Sequence, residues 1–252
     1  MSKGTIRELM TDLKLHGMKS LYEKERLRTK DTELSSDELL DQLLQAESDY
    51  REMRRSESRI KSSKLKTMAS LEDFDFTAKR SLTRADAREI HSLEWLEAGR
   101  PLVLIGETGV GKTYLAHATG LHACANKKSV LFLSFSHFLE MAMLHRASGH
   151  YLKFRDKMIK PDLLILDDFG MKKITNSEAE DWREILEERS FGKSTMLTTQ
   201  LPVKHWPEAI PDPVLAESIS DRFEGPGLVF KITGPSYRGV KCKKVEKPEK
   251  PE

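Results

Sequence analysis

The feature that most constrains this chain is a short apolar run that leads into a glycine-rich loop, LVLIGETGVGKT, at residues 102–113. Its spacing fits G-x-x-x-x-G-K-[ST], the P-loop pattern of nucleotide-binding proteins. We expect Gly106, Gly109 and Gly111 to let the backbone turn through positive φ and approach a phosphate with no Cβ in the way. The apolar run predicts a buried strand and residues 113–125 predict a helix, whose positive end would face the anion. A glycine-rich turn without a ligand is the alternative, and the strand and helix around the loop disfavour it.

The side chains of the loop have separate predicted roles. Lys112 would place an ammonium group on the β- and γ-phosphates of a nucleotide, and the Thr113 hydroxyl would bind Mg²⁺. The predicted nucleotide-binding set is the whole loop and the residue that follows it: Gly106, Glu107, Thr108, Gly109, Val110, Gly111, Lys112, Thr113 and Tyr114.

A second apolar run, LLILDD at residues 163–168, ends in two carboxylates. Downstream of a P-loop, this pattern is typical of a Walker B strand. Asp167 would hold Mg²⁺ directly or through water, and Asp168 would orient or deprotonate the attacking water. Many related ATPases have Glu at the second position. Because Asp is one methylene shorter, we expect slower catalysis or a dependence on repositioning.

Two later stretches of the sequence contain further candidate catalytic residues. The run STMLTTQ at residues 194–200 predicts a strand with a polar tip, where Gln200 is the first candidate and Thr199 the second for sensing the γ-phosphate or positioning water. Arg222 lies in the sequence SDRF at the end of a helix predicted over residues 211–223. It could be a surface arginine, pair locally with Asp221, or reach across a subunit boundary as an arginine finger.

Other helices are predicted from caps and periodicity. We expect one helix over residues 84–96, with Ser136 and Asn176 capping two others. Residues 5–71 predict only helices, with Gly17 as an interruption and Ser35 and Glu38 as a capping box. The third helix should bury an apolar face made of Leu39, Leu40, Leu43 and Leu44.

The later part of that third helix carries a basic stripe. At 100° per residue its bases fall on one side of the helix: Arg51, Arg54, Arg55, Arg59, Lys61 and Lys66. The stripe could be simply a solvated face, or it could contact the phosphates of DNA with salt-dependent, sequence-independent affinity. Four serines offer additional donors to phosphate: Ser56, Ser58, Ser62 and Ser63. No aromatic residues alternate with the bases, which favours duplex DNA over single strands.

The sequence LEDFDF at residues 71–76 lies between the predicted N-terminal helices and the region that contains the P-loop. Its aromatic residues, with Phe74 as the candidate, could flank the adenine of a bound nucleotide. They could equally anchor a linker on the core.

Composition limits the remaining possibilities. The chain has 252 residues, and 42 basic against 40 acidic side chains give a net charge of only +2, so net charge says little about nucleic acid. The two cysteines, Cys124 and Cys242, are too few for a disulfide framework. No apolar run approaches the roughly 18 residues of a membrane span, and the N-terminus lacks a signal peptide's apolar core. We therefore expect a cytoplasmic protein.

These residues resemble the IstB-type ATPases, the transposition helper proteins of insertion sequences, which are related to DnaC-type helicase loaders within the AAA+ group. The resemblance covers nearly the whole chain, through LKLHGM, LEDFDF, GETGVGKT, LLILDDFG, TTQLP with the following Trp206, SDRF and GPSYR. It implies a P-loop AAA+ parallel-sheet core at residues 72–240, which follows the small helical N-terminal domain at residues 1–71. The tail at residues 241–252 is rich in lysine, glutamate and proline, and this composition predicts a disordered basic segment.

The resemblance also implies function. It implies ATP and Mg²⁺, a homo-oligomer with active sites at subunit boundaries, and Arg222 as a finger acting in trans. It further implies that the assembly binds and deforms duplex DNA and recruits and stimulates a partner transposase. Only about 30 residues follow Arg222, too few for a full helical lid, so Arg238 is the candidate for a second nucleotide-sensing arginine.

Three other functions remain as alternatives. The first is a replicative helicase loader, which shares the core and differs in its partner. The second is a P-loop kinase of a small metabolite, which has no use for the basic stripe. The third is a non-hydrolysing scaffold that binds DNA under the control of ATP.

Overall fold

The computed structural model describes residues 5–27, 35–66, 69–71, 74 and 81–236. The chain divides into two compact units, Met1–Ser58 and Arg59–Glu252, and each is described by itself. Arg238 and the predicted tail at residues 241–252 lie outside the described residues, as does most of LEDFDF. The predicted domain boundary after residue 71 stays a prediction.

The first unit is helical. It contains α1 (Ile6–Asp12), α2 (His16–Leu27) and most of α3 (Ser36–Ser63), which continues into the second unit. The predicted capping box is confirmed, because the Ser35 amide donates to Glu38 at 2.8 Å and the Glu38 amide donates to the Ser35 hydroxyl at 3.2 Å. These bonds satisfy donors that the first turn of a helix leaves unpaired.

The sequence predicts that Gly17 interrupts the helical pattern, and this prediction is wrong. Gly17 lies inside α2, and the chain turns instead at Lys14, where φ is 57°. A Cβ on Gly17 would lie 2.3 Å from the carbonyl oxygen of Ala46, so the glycine allows α2 to approach α3 closely. The buried Glu47 carboxylate accepts from the Gly17 and Met18 amides at 2.8 and 3.2 Å. Burial raises the pKa of Glu47, but hydrogen bonds from Arg51 and these amides outweigh it and lower the pKa overall.

The buried face of α3 is narrower than the sequence predicts. Leu43 is buried, whereas Leu40 and Leu44 are 53% and 55% exposed. The side of α3 that α2 approaches carries Leu43, Ala46 and Tyr50, which recur at helical spacing. The buried face is therefore a narrow stripe, because only the residues near the α2 contact lose water.

The second unit is built on a parallel five-stranded sheet in the order β2-β3-β4-β1-β5. The strands are β1 (Leu102–Gly106), β2 (Val130–Ser134), β3 (Leu163–Phe169), β4 (Ser194–Thr199) and β5 (Leu228–Ile232). The predicted α/β fold with a parallel-sheet core is confirmed. Among the described residues after β5, which end at residue 236, no helix forms a lid.

Helices cover both faces of this sheet. They are α4 (Arg84–Ser92), α5 (Glu94–Glu97), α6 (Lys112–Ala125), α7 (Phe135–Ala147), α8 (Tyr151–Ile159), α9 (Asn176–Arg189), a 3₁₀ helix (Val203–Glu208) and α10 (Pro213–Glu224). Alternate residues of β1 belong to opposite cores: Val103 to the core that contains Trp182 and Phe223, and Leu104 to the core that contains Ile90 and Leu115. None of the described helices combines the length and apolarity needed to cross a bilayer.

Several predicted helix boundaries are wrong. The predicted helix over residues 84–96 is two helices, because Leu93 adopts a left-handed conformation with φ 58°. The N-caps are Ser134 and Thr175 rather than Ser136 and Asn176. Ser136 and Asn176 lie one or two positions inside their helices, and the hydroxyls of the true caps accept from the amides of His137 and Glu178. The sequence also failed to predict α8 and the 3₁₀ helix.

Candidate nucleotide site

The candidate site lies where β1, β3 and β4 end. In a parallel sheet the carboxyl ends of neighbouring strands meet at one edge, and ligands bind in the crevice outside them. Here the P-loop connects the end of β1 to α6, and β3 and β4 are the next strands along the sheet. The predicted phosphate loop and both predicted Walker B carboxylates therefore meet at one place.

The glycines of the loop have two different roles. Gly109 and Gly111 have φ of 88° and 106°, as predicted, and only glycine adopts such values without strain. Gly106, by contrast, ends β1 and is not among the positive-φ residues, so that part of the prediction is wrong. A Cβ on Gly106 would lie 2.2 Å from the carbonyl oxygen of Ile232. Gly106 is therefore required for close packing of β1 against β5.

Lys112 is the first residue of α6, and only 5% of it is exposed. Its Nζ donates to the carbonyl oxygens of Gly106 and Glu107 at 2.8 and 2.9 Å. These bonds hold the ammonium group against the P-loop backbone, where it can interact with the phosphates of a bound nucleotide. A positive charge and the N-terminus of a helix thus reinforce each other at one point.

Thr113 and Asp167 come together as the motifs predict. The Thr113 hydroxyl lies 3.1 and 3.0 Å from the two carboxylate oxygens of Asp167. Burial raises the pKa of Asp167, and the charge of Asp168 adds to this effect, while Thr198, Thr113 and Lys112 oppose it. A hydroxyl and a carboxylate are the hard oxygen ligands that suit Mg²⁺, which takes its other ligands from phosphates and water. The residues present therefore fit a magnesium ion.

No group of three or more His, Cys, Asp or Glu side chains with the arrangement of a metal site occurs in the described part of the chain. A magnesium site completed by nucleotide phosphates needs no such group, because the protein supplies only one or two ligands.

Asp168 differs from Asp167 in its surroundings. It is exposed, and its backbone is left-handed with φ 62°, which is uncommon for a residue other than glycine. Its amide donates to the Thr198 hydroxyl at 3.0 Å, and that hydroxyl donates in turn to Asp167 at 2.5 Å. Thr198 was not predicted from the sequence, which directed attention to the two residues after it. The signal that could have found it is a hydroxyl near the end of a strand that pairs with the Walker B strand.

The predicted polar residues at the tip of β4 lie in different environments. Gln200 is exposed and its amide donates to the Met171 sulfur at 3.0 Å. Thr199 is buried, where its hydroxyl donates to the Phe169 carbonyl at 2.8 Å and accepts from the Leu201 amide at 2.9 Å. The Thr199 hydroxyl thus stabilises the turn after β4. The roles predicted for both residues stay predictions.

Phe74 is only 4% exposed and packs in the core beside Tyr114, with their ring centroids 6.2 Å apart. The Tyr114 hydroxyl donates to the Ser70 carbonyl at 3.0 Å. This packing agrees with the anchoring role that was the alternative for Phe74. Contact with an adenine stays a prediction.

Arg222 extends from α10 toward α9. Its Nη1 donates to the Ser218 carbonyl and hydroxyl at 2.5 and 2.8 Å, and its Nη2 lies 3.6 Å from a Glu187 carboxylate oxygen. Its acidic partner is thus Glu187 rather than the adjacent Asp221. Glu187 also pairs with Arg183 at 2.6 Å, so two guanidinium groups share one carboxylate. A role across a subunit boundary stays a prediction.

The predicted basic stripe is accompanied by acids on α3. Arg51, Arg54 and Arg55 pair with nearby glutamates at 2.8, 3.0 and 4.0 Å, and all three remain exposed. Arg59 is partly buried and its Nε donates to the Cys124 carbonyl at 3.0 Å, near the end of α6. Lys61 and Lys66 are exposed, but α3 ends at Ser63, so the prediction that Lys66 lies on the helical stripe is wrong. Exposed pairs of this kind contribute little energy and are readily exchanged for other partners.

Two of the four serines predicted to assist phosphate binding bond to their own helix instead. Ser62 and Ser63 donate to the carbonyls of Arg59 and Ile60 at 3.0 and 2.7 Å, and Ser63 is buried. Because a buried hydroxyl cannot reach a phosphate, the prediction for Ser63 is wrong.

The sheet order, the P-loop and the pairing of Thr113 with Asp167 define a P-loop ATP-binding protein of the AAA+ group. Residues 8–245 match the family described as IstB-like ATP binding protein, and the chain belongs to this family. The sequence is 35% identical over 236 residues to a Mycobacterium tuberculosis protein that is described as an ATP-binding protein in an insertion sequence. That alignment spans 92% of this chain and 93% of the relative.

Two solved structures show the same fold. The DnaC helicase loader aligns with a TM-score of 0.56 and 18% identity, over 66% of this chain and 97% of that chain. The replication initiator DnaA, bound to AMPPCP and single-stranded DNA, aligns with a TM-score of 0.57 and 24% identity, over 68% of this chain and 52% of that chain.

Proposed function

We propose that this protein is an ATPase that assembles on duplex DNA and assists the transposase of the same insertion sequence. The observation that supports it most is the contact of Thr113 with Asp167 beneath the P-loop, in a chain whose relatives belong to insertion sequences. In this proposal the pair binds magnesium, next to the Lys112 ammonium group. A cytoplasmic site of action is part of the proposal.

Each part of the site has a role in ATP hydrolysis. The P-loop amides and Lys112 bind the phosphates of ATP, and Asp168 orients water for in-line attack on the γ-phosphate. Gln200 assists by sensing the γ-phosphate. Thr113 and Asp167 would hold Mg²⁺, which when bound would neutralise negative charge on the phosphates of ATP. Arg222 of an adjacent subunit stabilises the charge that develops in the transition state.

Phosphate release, measured with and without duplex DNA, tests this function. We expect the wild type to hydrolyse ATP in the presence of magnesium and to do so faster with DNA, and Asp168→Asn to bind ATP without hydrolysing it. Binding of ATP and DNA without phosphate release would instead indicate a non-hydrolysing scaffold. Phosphorylation of a small metabolite, with no response to DNA, would indicate a kinase.

A helicase loader is the closest alternative, because the structural likeness to DnaC extends over 97% of that chain. The two functions differ in the partner. The purified protein should therefore be mixed with the transposase of the same insertion sequence and, separately, with the replicative helicase of the same cell. Retention of the helicase alone would favour the loader.

Arg222→Ala should retain nucleotide binding, but its kcat for ATP hydrolysis should fall by a factor of roughly 10³. This factor is the lower end of the range given for arginine fingers. Mixing Arg222→Ala with Asp168→Asn should restore part of the activity, because a mixed boundary can combine one intact Arg222 with one intact Asp168. Arg183→Ala is the matched control, since it removes the other guanidinium paired with Glu187. If the mixture stays inactive while both variants still assemble, the active site is not shared.

Replacing Arg51, Arg54 and Arg55 by Gln should weaken DNA binding and flatten its salt dependence. Three lost phosphate contacts would reduce the slope of log K against log salt by about 2.7. Arg59 is left in place because it bonds to the Cys124 carbonyl. The matched control replaces three exposed lysines at α8, Lys153, Lys157 and Lys160, by Gln, which removes the same charge. If both triple variants change the slope equally, the stripe is an ordinary solvated face.

A further inference from the structure

Thr198 is completely buried near the end of β4, next to the two Walker B carboxylates. The pairing of β3 with β4 is regular up to Leu166 and Leu197 and resumes at Phe169 and Thr199. Between these points two residues of β3, Asp167 and Asp168, face one residue of β4, Thr198. This arrangement is a β-bulge, a device that redirects side chains and is frequent beside active sites.

The Thr198 hydroxyl makes two hydrogen bonds at this bulge. Its single proton is donated to Asp167 Oδ1 at 2.5 Å, and its oxygen accepts the Asp168 amide proton at 3.0 Å. One hydroxyl thus fixes the carboxylate of Asp167 and the backbone of Asp168. The left-handed Asp168, with φ 62°, needs such a constraint because this conformation costs free energy for a residue with a Cβ.

The same contacts give Thr198 a chemical effect on the site. Asp167 accepts from Thr198 on one side and from the Thr113 hydroxyl on the other. Because Oδ1 is bonded to the buried Thr198, the carboxylate cannot rotate away from Thr113 without losing a buried hydrogen bond. Asp168, turned by the bulge, remains exposed at the edge of the sheet.

We infer that Thr198 is a positioning residue that holds Asp167 toward the magnesium ion and Asp168 toward the attacking water. The inference rests on the proposed function of the site and extends it to a residue that touches neither nucleotide nor metal. Valine has nearly the shape of threonine but lacks the hydroxyl, so Thr198→Val removes both bonds and preserves packing.

The first measurement needs no hydrolysis. Binding of a fluorescent ATP analogue is titrated with MgCl₂ and with EDTA, for the full-length wild type, Thr198→Val and Thr198→Ser. Loss of a group that orients a metal ligand typically weakens metal affinity or activity 10- to 100-fold. We expect the Mg²⁺ concentration for half-maximal binding to rise by roughly that factor in Thr198→Val and to stay near the wild-type value in Thr198→Ser. Binding in EDTA should be equal in all three.

The second measurement is steady-state ATP hydrolysis. At saturating Mg²⁺, kcat should fall roughly 10- to 100-fold in Thr198→Val, with KM for ATP little changed, and Thr198→Ser should retain most of the rate. Thr119→Val is the matched control, since Thr119 is equally buried and its hydroxyl has no hydrogen-bond partner within the described residues. Should Thr198→Val not fold, Thr198→Ala and Thr198→Ser provide the comparison, because both lack the γ-methyl and only one retains the hydroxyl.

The inference is overturned if Thr198→Val matches the wild type in Mg²⁺ dependence and kcat. It is also overturned if Thr198→Ser fails as badly as Thr198→Val, since the methyl group would then be the important part. A wild type that hydrolyses no ATP would refute the proposed ATPase function, and the Mg²⁺ titration would still decide the role of Thr198.

Discussion

Replacing Lys112 by alanine should abolish measurable ATP hydrolysis and weaken ATP binding about 100-fold. The Lys112 ammonium lies against the P-loop, 2.8 and 2.9 Å from the carbonyls of Gly106 and Glu107, and only 5% of the residue is exposed. A charge-assisted hydrogen bond contributes about 1.5–3 kcal/mol. Two such bonds to the phosphates contribute at least about 3 kcal/mol, which corresponds to a factor of about 100 in affinity. Nucleotide titration and phosphate release measure the two effects.

Lys157→Ala is the control, since this lysine is exposed on α8. It should bind and hydrolyse ATP like the wild type. If Lys112→Ala hydrolysed ATP at the wild-type rate, the P-loop would not be the site of hydrolysis. Cooperative unfolding of both variants without nucleotide should show that each is folded, so that loss of activity is not mistaken for loss of folding.

Replacing Arg189 by methionine should destabilise the protein by roughly 3–5 kcal/mol, as for other broken buried networks. Arg189 ends α9 and is 1% exposed. Its guanidinium donates to the Thr195 hydroxyl at 2.9 Å and to the carbonyls of Met158, Ile159 and Pro161 at 2.9, 3.1 and 2.9 Å, and also to the carbonyl of Ser194. It therefore connects the end of α8, the end of α9 and the start of β4.

Methionine would fill the volume but leave these oxygens without donors. Replacing a buried ion pair by apolar residues can be harmless when both partners are removed. Here the acceptors are mostly backbone carbonyls, which substitution cannot remove. Burial lowers the pKa of Arg189 to about 9, against the opposing charge of Asp162, so the guanidinium stays protonated at neutral pH. The charge strengthens each of its hydrogen bonds.

Chemical unfolding of the nucleotide-free protein measures this loss. In a protein of this size, each 1 kcal/mol also lowers the melting temperature by roughly 2–4 °C, so a decrease of about 10 °C is expected. The control is Arg183→Met on the same helix, whose exposed pair with Glu187 should be worth less than about 1 kcal/mol. Equal stability of Arg189→Met and Arg183→Met would contradict a structural role for the buried guanidinium.

Local patterns were sufficient to predict most of the residues that meet at the candidate nucleotide site. The spacing of the P-loop and the two carboxylates after an apolar strand predicted that Thr113 and Asp167 would meet. Both patterns lie at strand ends, and in a parallel sheet those ends share one edge. Caps were predicted less well, since Ser134 and Ser136, or Thr175 and Asn176, are equally suitable by residue type.

The sequence by itself determined the fold class, the phosphate loop and the identity of the Walker B residues, because strand, glycine turn and helix follow one another along the chain. Only the tertiary structure decided that Thr198 joins Asp167 to Asp168, that Arg222 faces Glu187, and that Arg189 connects three elements. Each of these contacts depends on the register of strands or the packing of helices that are distant in sequence. Local periodicity carries no information about such a register, since it is fixed by the pairing of whole strands and by the bulge within it.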